Sequence, residues 1–424
     1  MNNAAEKIKG REFQVLSAVP TSSRVFSAAV LVAALGYFVD VFDMWLFANF
    51  RVAQLTSLGL VGTQITEWGA HIINYQQAGF LIGGLCWGIF GDKRGRISVL
   101  FGSIFLYSVA TLLTAYVTSP SQLAWLRGIT GFGLAGEIGA GITLISELLP
   151  KESRGYGTAI VATIGVAGAI GAAIVGKYMH WESAYILGAV LGFGLLGLRI
   201  LVAESGMYSE MKRTESVKCG SLIMLFSSWA RVIKFVACIL VGVPIYLVFS
   251  QIVVFSPEIG ASLGIKDSIL VPDVMLFASI GITIGDLGFG FLGQWLGSRK
   301  KPIFIGLFAG AILALLLTGG FIQSAAGFKY MTGAIGLCMG YWACLVTAIA
   351  EQFGTNLRAT VTTFVPNLIR ASAIILNIAF INLNEYSTPA HSVFLLCIPV
   401  FVLAFVSLIL LKDTFGKDLN YIEK

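Results

Sequence analysis

Apolar runs of roughly 20 residues recur from end to end of this 424-residue chain, and no other feature constrains its fold as strongly. A helix rises about 1.5 Å per residue, so each run is long enough to cross about 30 Å of hydrocarbon. Irregular or open-sheet backbone cannot face lipid, because its N–H and C=O groups would have no partners. The expected fold is therefore an all-α membrane protein. Composition agrees: 57% of residues are hydrophobic and only 12% charged, against about 25% charged in soluble domains.

The runs predict twelve transmembrane helices at 25–50, 72–91, 97–117, 122–148, 155–178, 183–203, 233–255, 272–293, 302–323, 330–350, 358–382 and 391–411. With the N-terminus inside, 21 of the 28 basic residues fall in cytoplasmic segments. Arg51, Lys177, Lys266 and Lys329 fall in outside loops, and Arg127, Arg199 and Arg370 within spans. That bias predicts both termini in the cytoplasm and a multi-pass protein of a bacterial-type inner membrane. Residues 1–24 read as a cytoplasmic tail and not a signal peptide, since they lack an apolar core. The basic connection 204–232 divides an N-terminal six-helix half (25–203) from a C-terminal one (233–411), with 412–424 as a second tail.

Two loops imply that the halves are copies. Gly88-Ile89-Phe90-Gly91-Asp92-Lys93-Arg94-Gly95-Arg96 follows the second span, and a worn version, Gly290-Phe291-Leu292-Gly293-Gln294-Trp295-Leu296-Gly297-Ser298-Arg299-Lys300, follows the eighth at an offset of 202. After the fourth and tenth spans, Glu147…Arg154 and Glu351…Arg358 repeat an acid seven residues before an arginine, at an offset of 204. Tandem six-span halves are a transporter architecture.

The loop after span two resembles the signature of the major facilitator superfamily. The run Arg127-Gly128-Ile129-Thr130-Gly131-Phe132-Gly133-Leu134-Ala135-Gly136-Glu137, with Glu147 and Arg154 following, is similar to the fourth-span signature of its sugar-porter and metabolite:proton symporter branches. Asp40 and Asp43 in span one resemble the opening of its aromatic-acid and phosphate proton symporters. The resemblance covers essentially the whole chain. It implies a proton-coupling pair between Asp43 and Arg127. One departure is the lack of any proline between Pro150 and Pro244, where drug:proton antiporters of the superfamily carry a Gly-Pro signature in span five.

Acids add nothing to the topology bias, so Asp92, Glu147 and Glu351 point to a cytoplasmic gate with Arg96, Arg154 and Arg358. Gln294 stands where Asp92 stands in the first copy, so the second gate is expected to be weaker. Charges at membrane depth need partners or a function. Helix rise places Glu137, Asp286 and Arg370 about 12–18 Å from the inner face, in one layer. Asp40, Asp43 and Arg127 fall in the outer half. A carboxylate that gains and loses a proton beside a permanent cation is what proton coupling needs, which assigns Asp40, Asp43, Arg127 and Glu137 to that task. A midplane Arg370 with Asn367 one turn away suits a carboxylate or phosphate. Asp286, Gln251, Tyr341, Trp342 and Asn377 complete the candidate solute site. The bland readings are static ion pairs, such as Asp286 neutralising Arg370. Arg199 is expected to extend to the interface.

The expected function is secondary active transport of a small anionic or zwitterionic metabolite by alternating access, as proton symport. The rivals are a proton-driven exporter of a siderophore, drug or metabolite, and a solute sensor. Expected partners are the solute, protons and lipid, with the chain a monomer, no nucleic acid bound and no cofactor beyond the proton gradient. The six cysteines and three histidines show no metal-ligand or nucleophile spacing, so neither a metal site nor an enzyme is expected.

Overall fold

The computed structural model describes residues 28–94, 96–148, 151–204 and 225–415, and among these there is no strand. Six helices precede the central connection: α1 (Ala28–Ser57), α2 (Thr63–Arg94), α3 (Arg96–Thr114), α4 (Pro120–Leu148), α5 (Lys151–Tyr178) and α6 (Trp181–Glu204). After it come α7 (Trp229–Leu247), a π-helical stretch (Val248–Val253), α8 (Ser256–Ser262), α9 (Val271–Trp295), α10 (Lys300–Thr318), α11 (Ala325–Met339), α12 (Trp342–Gln352), α13 (Thr355–Asn384) and α14 (Pro389–Leu410).

Eight helical segments of the described residues are long and apolar enough to cross a membrane. Large apolar side chains face outward around the bundle, including Phe105, Phe291, Ile375 and Ile409. Water would not tolerate such a continuous surface, and lipid does.

Close backbone contact explains much of the glycine content. A Cβ on Gly79 would lie 2.0 Å from the Gly128 carbonyl oxygen, so α2 can approach the α4 backbone this closely only with glycine at 79. The same crossing recurs between α9 and α11, where a Cβ on Gly281 would lie 2.1 Å from the Gly333 carbonyl oxygen. Gly79 and Gly281 are 202 residues apart, the offset of the loop repeat. In α5, Gly165 accepts the Tyr37 ring and Gly168 meets the Phe38 carbonyl of α1. The helices before and after the connection meet chiefly through α2 with α13 and α5 with α9.

The repeated loop has a local physical cause in its second copy. Gly297 takes φ +55°, its N–H bonds the Gln294 carbonyl, and the Ser298 N–H bonds the Gly293 carbonyl. This paired closure ends α9 with a left-handed residue that only glycine adopts cheaply. The Ser298 hydroxyl then accepts from the Lys301 N–H in the first turn of α10. Gly95, 202 residues earlier, lies outside the described residues.

Three helices depart from the expected spans. α1 continues to Ser57 and carries Arg51 within it, so Arg51 is a buried helix residue and not a loop residue. Its ion pair, described below, removes the cost that would have ended the span there. The seventh span passes from α7, which contains Pro244, into the π-helical stretch that begins four residues later. The tenth breaks at Gly340–Tyr341, where Gly340 presses on the Gly285–Asp286 backbone of α9. Arg199 is 2% exposed and so does not reach out to the interface as expected.

Candidate functional site

α2 and α9 terminate at the basic-loop end of the bundle, marked by Arg94 and Trp295. Toward the opposite end, Asp43 of α1 and Arg127 of α4 form an ion pair at 2.8 Å, and neither side chain has any exposure. Arg127 also donates from Nη2 to the Asp43 backbone carbonyl at 2.8 Å. The second Asp43 oxygen accepts from the Thr111 hydroxyl of α3. The Tyr185 ring of α6 covers the guanidinium, 5.8 Å from centroid to Cζ. Four helices thus enclose one acid and one base with no exposed surface, where a change in protonation is felt by every member.

Deeper in, Arg370 of α13 is 3% exposed. Its Nε donates to the Tyr246 hydroxyl of α7 at 3.0 Å, and its plane lies over the Phe80 ring of α2 at 5.3 Å. Its Nη1 is buried and makes no hydrogen bond. The Tyr37 hydroxyl of α1 lies within electrostatic reach of Arg370, Tyr246, Asp286 and Asp40, and Asp40 itself is 2% exposed. Asn367, one turn before Arg370, sits against Gly84 of α2 at the seam between the two helix groups. This arrangement leaves Nη1 of the guanidinium with hydrogen-bonding capacity that an anion such as a carboxylate can use.

Asp286 is held by the break in the tenth span. Its Oδ1 accepts from the Ala343 N–H, in the first turn of α12, at 3.0 Å. That N–H is one of the orphan donors created when α11 and α12 separate, so the carboxylate caps α12 from a neighbouring helix. Its Oδ2 is buried and makes no hydrogen bond. Tyr341, at the break, is fully buried and donates its hydroxyl to the Val241 carbonyl at 2.9 Å. Trp342 is half-buried against the core.

A chain of amides crosses between the two helix groups. Asn377 of α13 donates to Asn74 of α2 at 2.8 Å and accepts from Gln251 in the π-helical stretch at 2.7 Å. Asn74 carries no charge and sits among other neutral polar residues of α2 such as Gln76 and Gln77, so it escaped sequence reasoning.

The opposite end is closed by ion pairs between the helix groups. Arg51 contacts both Glu258 oxygens of α8 at 2.6 and 2.8 Å, donates to the Val254 carbonyl at 3.1 Å, and lies 4.7 Å from the Phe255 ring centroid. Thr66 of α2 donates to the same carboxylate at 3.2 Å. Lys177 of α5 pairs with Asp273 of α9 at 2.8 Å. The signal for Arg51 was a cation beside an apolar run, which is indistinguishable in sequence from an ordinary loop residue.

At the basic-loop end, Glu351 pairs with Arg299 at 3.1 Å and accepts from Thr414 at 2.7 Å. The Ser298 hydroxyl and the Arg299 N–H both bond Asp413, which follows α14. Burial acts to raise the Asp413 carboxyl, but its bonds from Ser298, Arg299, Phe415 and Lys300 prevail and hold it below the usual range. Asp413 thus ties the segment after α14 to the loop that precedes α10. The side chains of Asp92, Arg96, Glu137, Glu147, Arg154 and Arg358 lie outside the described residues. Among the described residues no group of histidine, cysteine or acidic side chains is placed to hold a metal ion.

Residues 33–378 match the family model of the Major Facilitator Superfamily. A Haemophilus influenzae protein named for metabolite transport is 28% identical over 366 residues, covering 81% of this chain and 85% of that protein. A Bacillus subtilis protein named for niacin/nicotinamide transport, NiaP, is 26% identical, covering 78% and 81% of the two chains. The sialic acid transporter NanX of Escherichia coli is 27% identical, covering 80% and 83%.

Proposed function

Because this chain belongs to the major facilitator superfamily and is a multi-pass membrane transporter, not an enzyme, we propose that it carries a small monocarboxylate together with a proton by alternating access across an inner membrane. The observation that carries this reading is Arg370, a buried guanidinium with an Nη1 that no protein group satisfies. Leaving a buried ion without a full set of partners costs several kcal/mol, roughly. A bound carboxylate offsets that cost when both ends of the bundle are closed around it. Niacin and sialic acid, which two relatives are named for, are both monocarboxylates.

In this reading α7, the π-helical stretch and α8 form one span, α11 and α12 form another, and the chain crosses the membrane twelve times. The basic-loop end and both termini face the cytoplasm, by the excess of lysine and arginine there. The Arg51–Glu258 and Lys177–Asp273 pairs then close the outer face. Opening them admits solute to Arg370 and a proton to Asp43. Protonated Asp43 holds Arg127 only as a neutral acceptor, which loosens α1 from α4 and lets the bundle rock. Asp40, near Arg370 in charge and position, links the two sites. The proton gradient is the driving force, and no cofactor is required.

The test uses purified protein in liposomes preloaded with unlabelled niacin or N-acetylneuraminate and diluted into the labelled acid. Arg370→Gln is expected to abolish counterflow of both acids, and an imposed inward proton gradient to drive their accumulation by the native protein. Counterflow retained by Arg370→Gln refutes the carboxylate site. Counterflow without gradient-driven accumulation refutes proton coupling.

A further inference from the structure

One hydrogen-bonding group is left over in the amide chain that crosses between the helix groups. Asn74 of α2 accepts from Asn377 Nδ2 at 2.8 Å, and Asn377 Oδ1 accepts from Gln251 Nε2 at 2.7 Å. Asn377 and Gln251 are fully buried, while Asn74 is half-buried. Gln251 Nε2 also donates to the Ser250 hydroxyl at 3.2 Å, which in turn donates to the Tyr246 carbonyl at 2.6 Å. The remaining Gln251 group, Oε1, is buried and has no hydrogen-bond partner. A buried amide oxygen left unpaired costs stability, so its retention calls for a reason.

Two primary amides already joined by one N–H···O bond can join by a second, because each carries a donor and an acceptor side by side. Asn377 Nδ2 now faces Asn74, and rotation about its soft terminal torsion turns it toward the unused Gln251 Oε1. We infer that Asn377 is a positioning residue that exchanges partners as the Arg51–Glu258 end opens. With that end closed it bridges α2 to the seventh span; with α2 drawn away it closes a reciprocal pair with Gln251.

The hydrogen bonds balance. The closed arrangement has one bond from Asn377 to Asn74 and one from Gln251 to Asn377. The open one has two between Asn377 and Gln251, and Asn74 turns to water. Equal counts keep the two arrangements close in free energy, as a carrier that visits both requires. Turning all three amides over reverses each bond and still leaves one Gln251 group unpaired, so the exchange is the same either way. Position agrees as well. Asn74 lies in the half of α2 away from Arg94. The π-helical stretch that carries Gln251 runs directly into Val254, whose carbonyl accepts from Arg51, and on to Glu258 in α8. One segment thus holds both the ion-pair partners of that end and the acceptor that takes over Asn377, in a helical geometry that recurs at functional sites. This inference rests on alternating access as proposed above, which the test separates from it.

The test is the rate of maleimide labelling at Thr66→Cys in the full-length, detergent-solubilised protein, with the label assigned to that site by mass spectrometry. Asn74→Ala removes one bond from the closed arrangement alone and is expected to speed labelling about fivefold, the scale of one neutral hydrogen bond. Gln251→Ala removes one bond from the closed arrangement and two from the open one, so it is expected to slow labelling by about the same factor. Asn377→Ala removes two from each and is expected to leave the rate close to that of the parent. A clasp that only holds the end shut, or a fold loosened by lost bonds, would instead speed labelling in all three, most of all in Asn377→Ala. Any result other than opposed changes for Asn74→Ala and Gln251→Ala therefore overturns the exchange and leaves the transport reading standing. Glu258→Gln, which touches none of the amides, shows whether the reporter sees that end open. If it leaves labelling unchanged, opening at that end is overturned, and this inference with it.

Discussion

Replacing Asp43 by asparagine exchanges one carboxylate oxygen for an NH2 group and removes one charge from a site with no exposed surface. Arg127 would lose its ionic partner at 2.8 Å but keep the Asp43 backbone carbonyl at 2.8 Å and the Tyr185 ring above it. Thr111, which donates to the second carboxylate oxygen, would face an amide nitrogen and have to turn away. A hydrogen bond to a charged group contributes about 1.5–3 kcal/mol, and a neutral one about 0.5–1.5. Stripping a buried ion of its partner outright costs about 3–5 kcal/mol. With the carbonyl retained, Asp43→Asn should fall between these limits, at about 2–3 kcal/mol of destabilisation. The assay is a double-mutant cycle in detergent, comparing the unfolding of Asp43→Asn, Arg127→Gln and the double variant. Because the orphaned ion is the main cost, the double variant should be more stable than the sum of the singles predicts, by about 2 kcal/mol. In liposomes Asp43→Asn should abolish proton-driven accumulation and retain counterflow. Additive losses would refute the energetic role of the pair, and uphill uptake by the variant would refute its role in coupling.

Glu258→Gln should release Arg51, which would then be buried without an ionic partner, and favour opening of that end by on the order of a hundredfold; increased labelling of a cysteine placed at Thr66 reports the shift, and unchanged labelling counts against a latch. Gly281→Val should prevent the α9–α11 crossing, since its Cβ would lie 2.1 Å from a backbone oxygen, and yield little folded protein by size-exclusion, whereas Gly288→Ala, with open space around it, should behave as the native chain. Asp413 has its carboxyl held below the ordinary range, so its contribution is present above the ordinary carboxylate pKa and is lost as pH falls through its lower folded value. Asp413→Asn should therefore flatten the acid limb of stability below about pH 4, and an unchanged limb would show that other groups set it.

Sequence alone determined that this chain spans a membrane as helices, because the lengths and apolarity of its runs leave the backbone no other way to satisfy itself in lipid. It also picked out the charges worth explaining. Asp43 and Arg127 fell in the same half of the membrane and the family resemblance implied their pairing, and Arg370 was marked as an anion ligand, because an ion in hydrocarbon is costly enough to be visible as an exception. Tertiary structure decided what sequence spacing does not encode. Asn74 carries no charge, so nothing distinguished it from other polar residues until α13 was laid beside α2. Arg51 resembled a loop cation until α8 brought Glu258 against it. Asp286 gained its helix-capping contact only when the tenth span broke at Gly340 and offered an orphan N–H. Asp413 gained its bonds from Ser298 and Arg299 only when the segment after α14 came against the loop before α10. The physical reason is the same in each case. Burial costs are local and can be read along a chain, whereas the partners that offset them come from other helices, and their faces are set by packing.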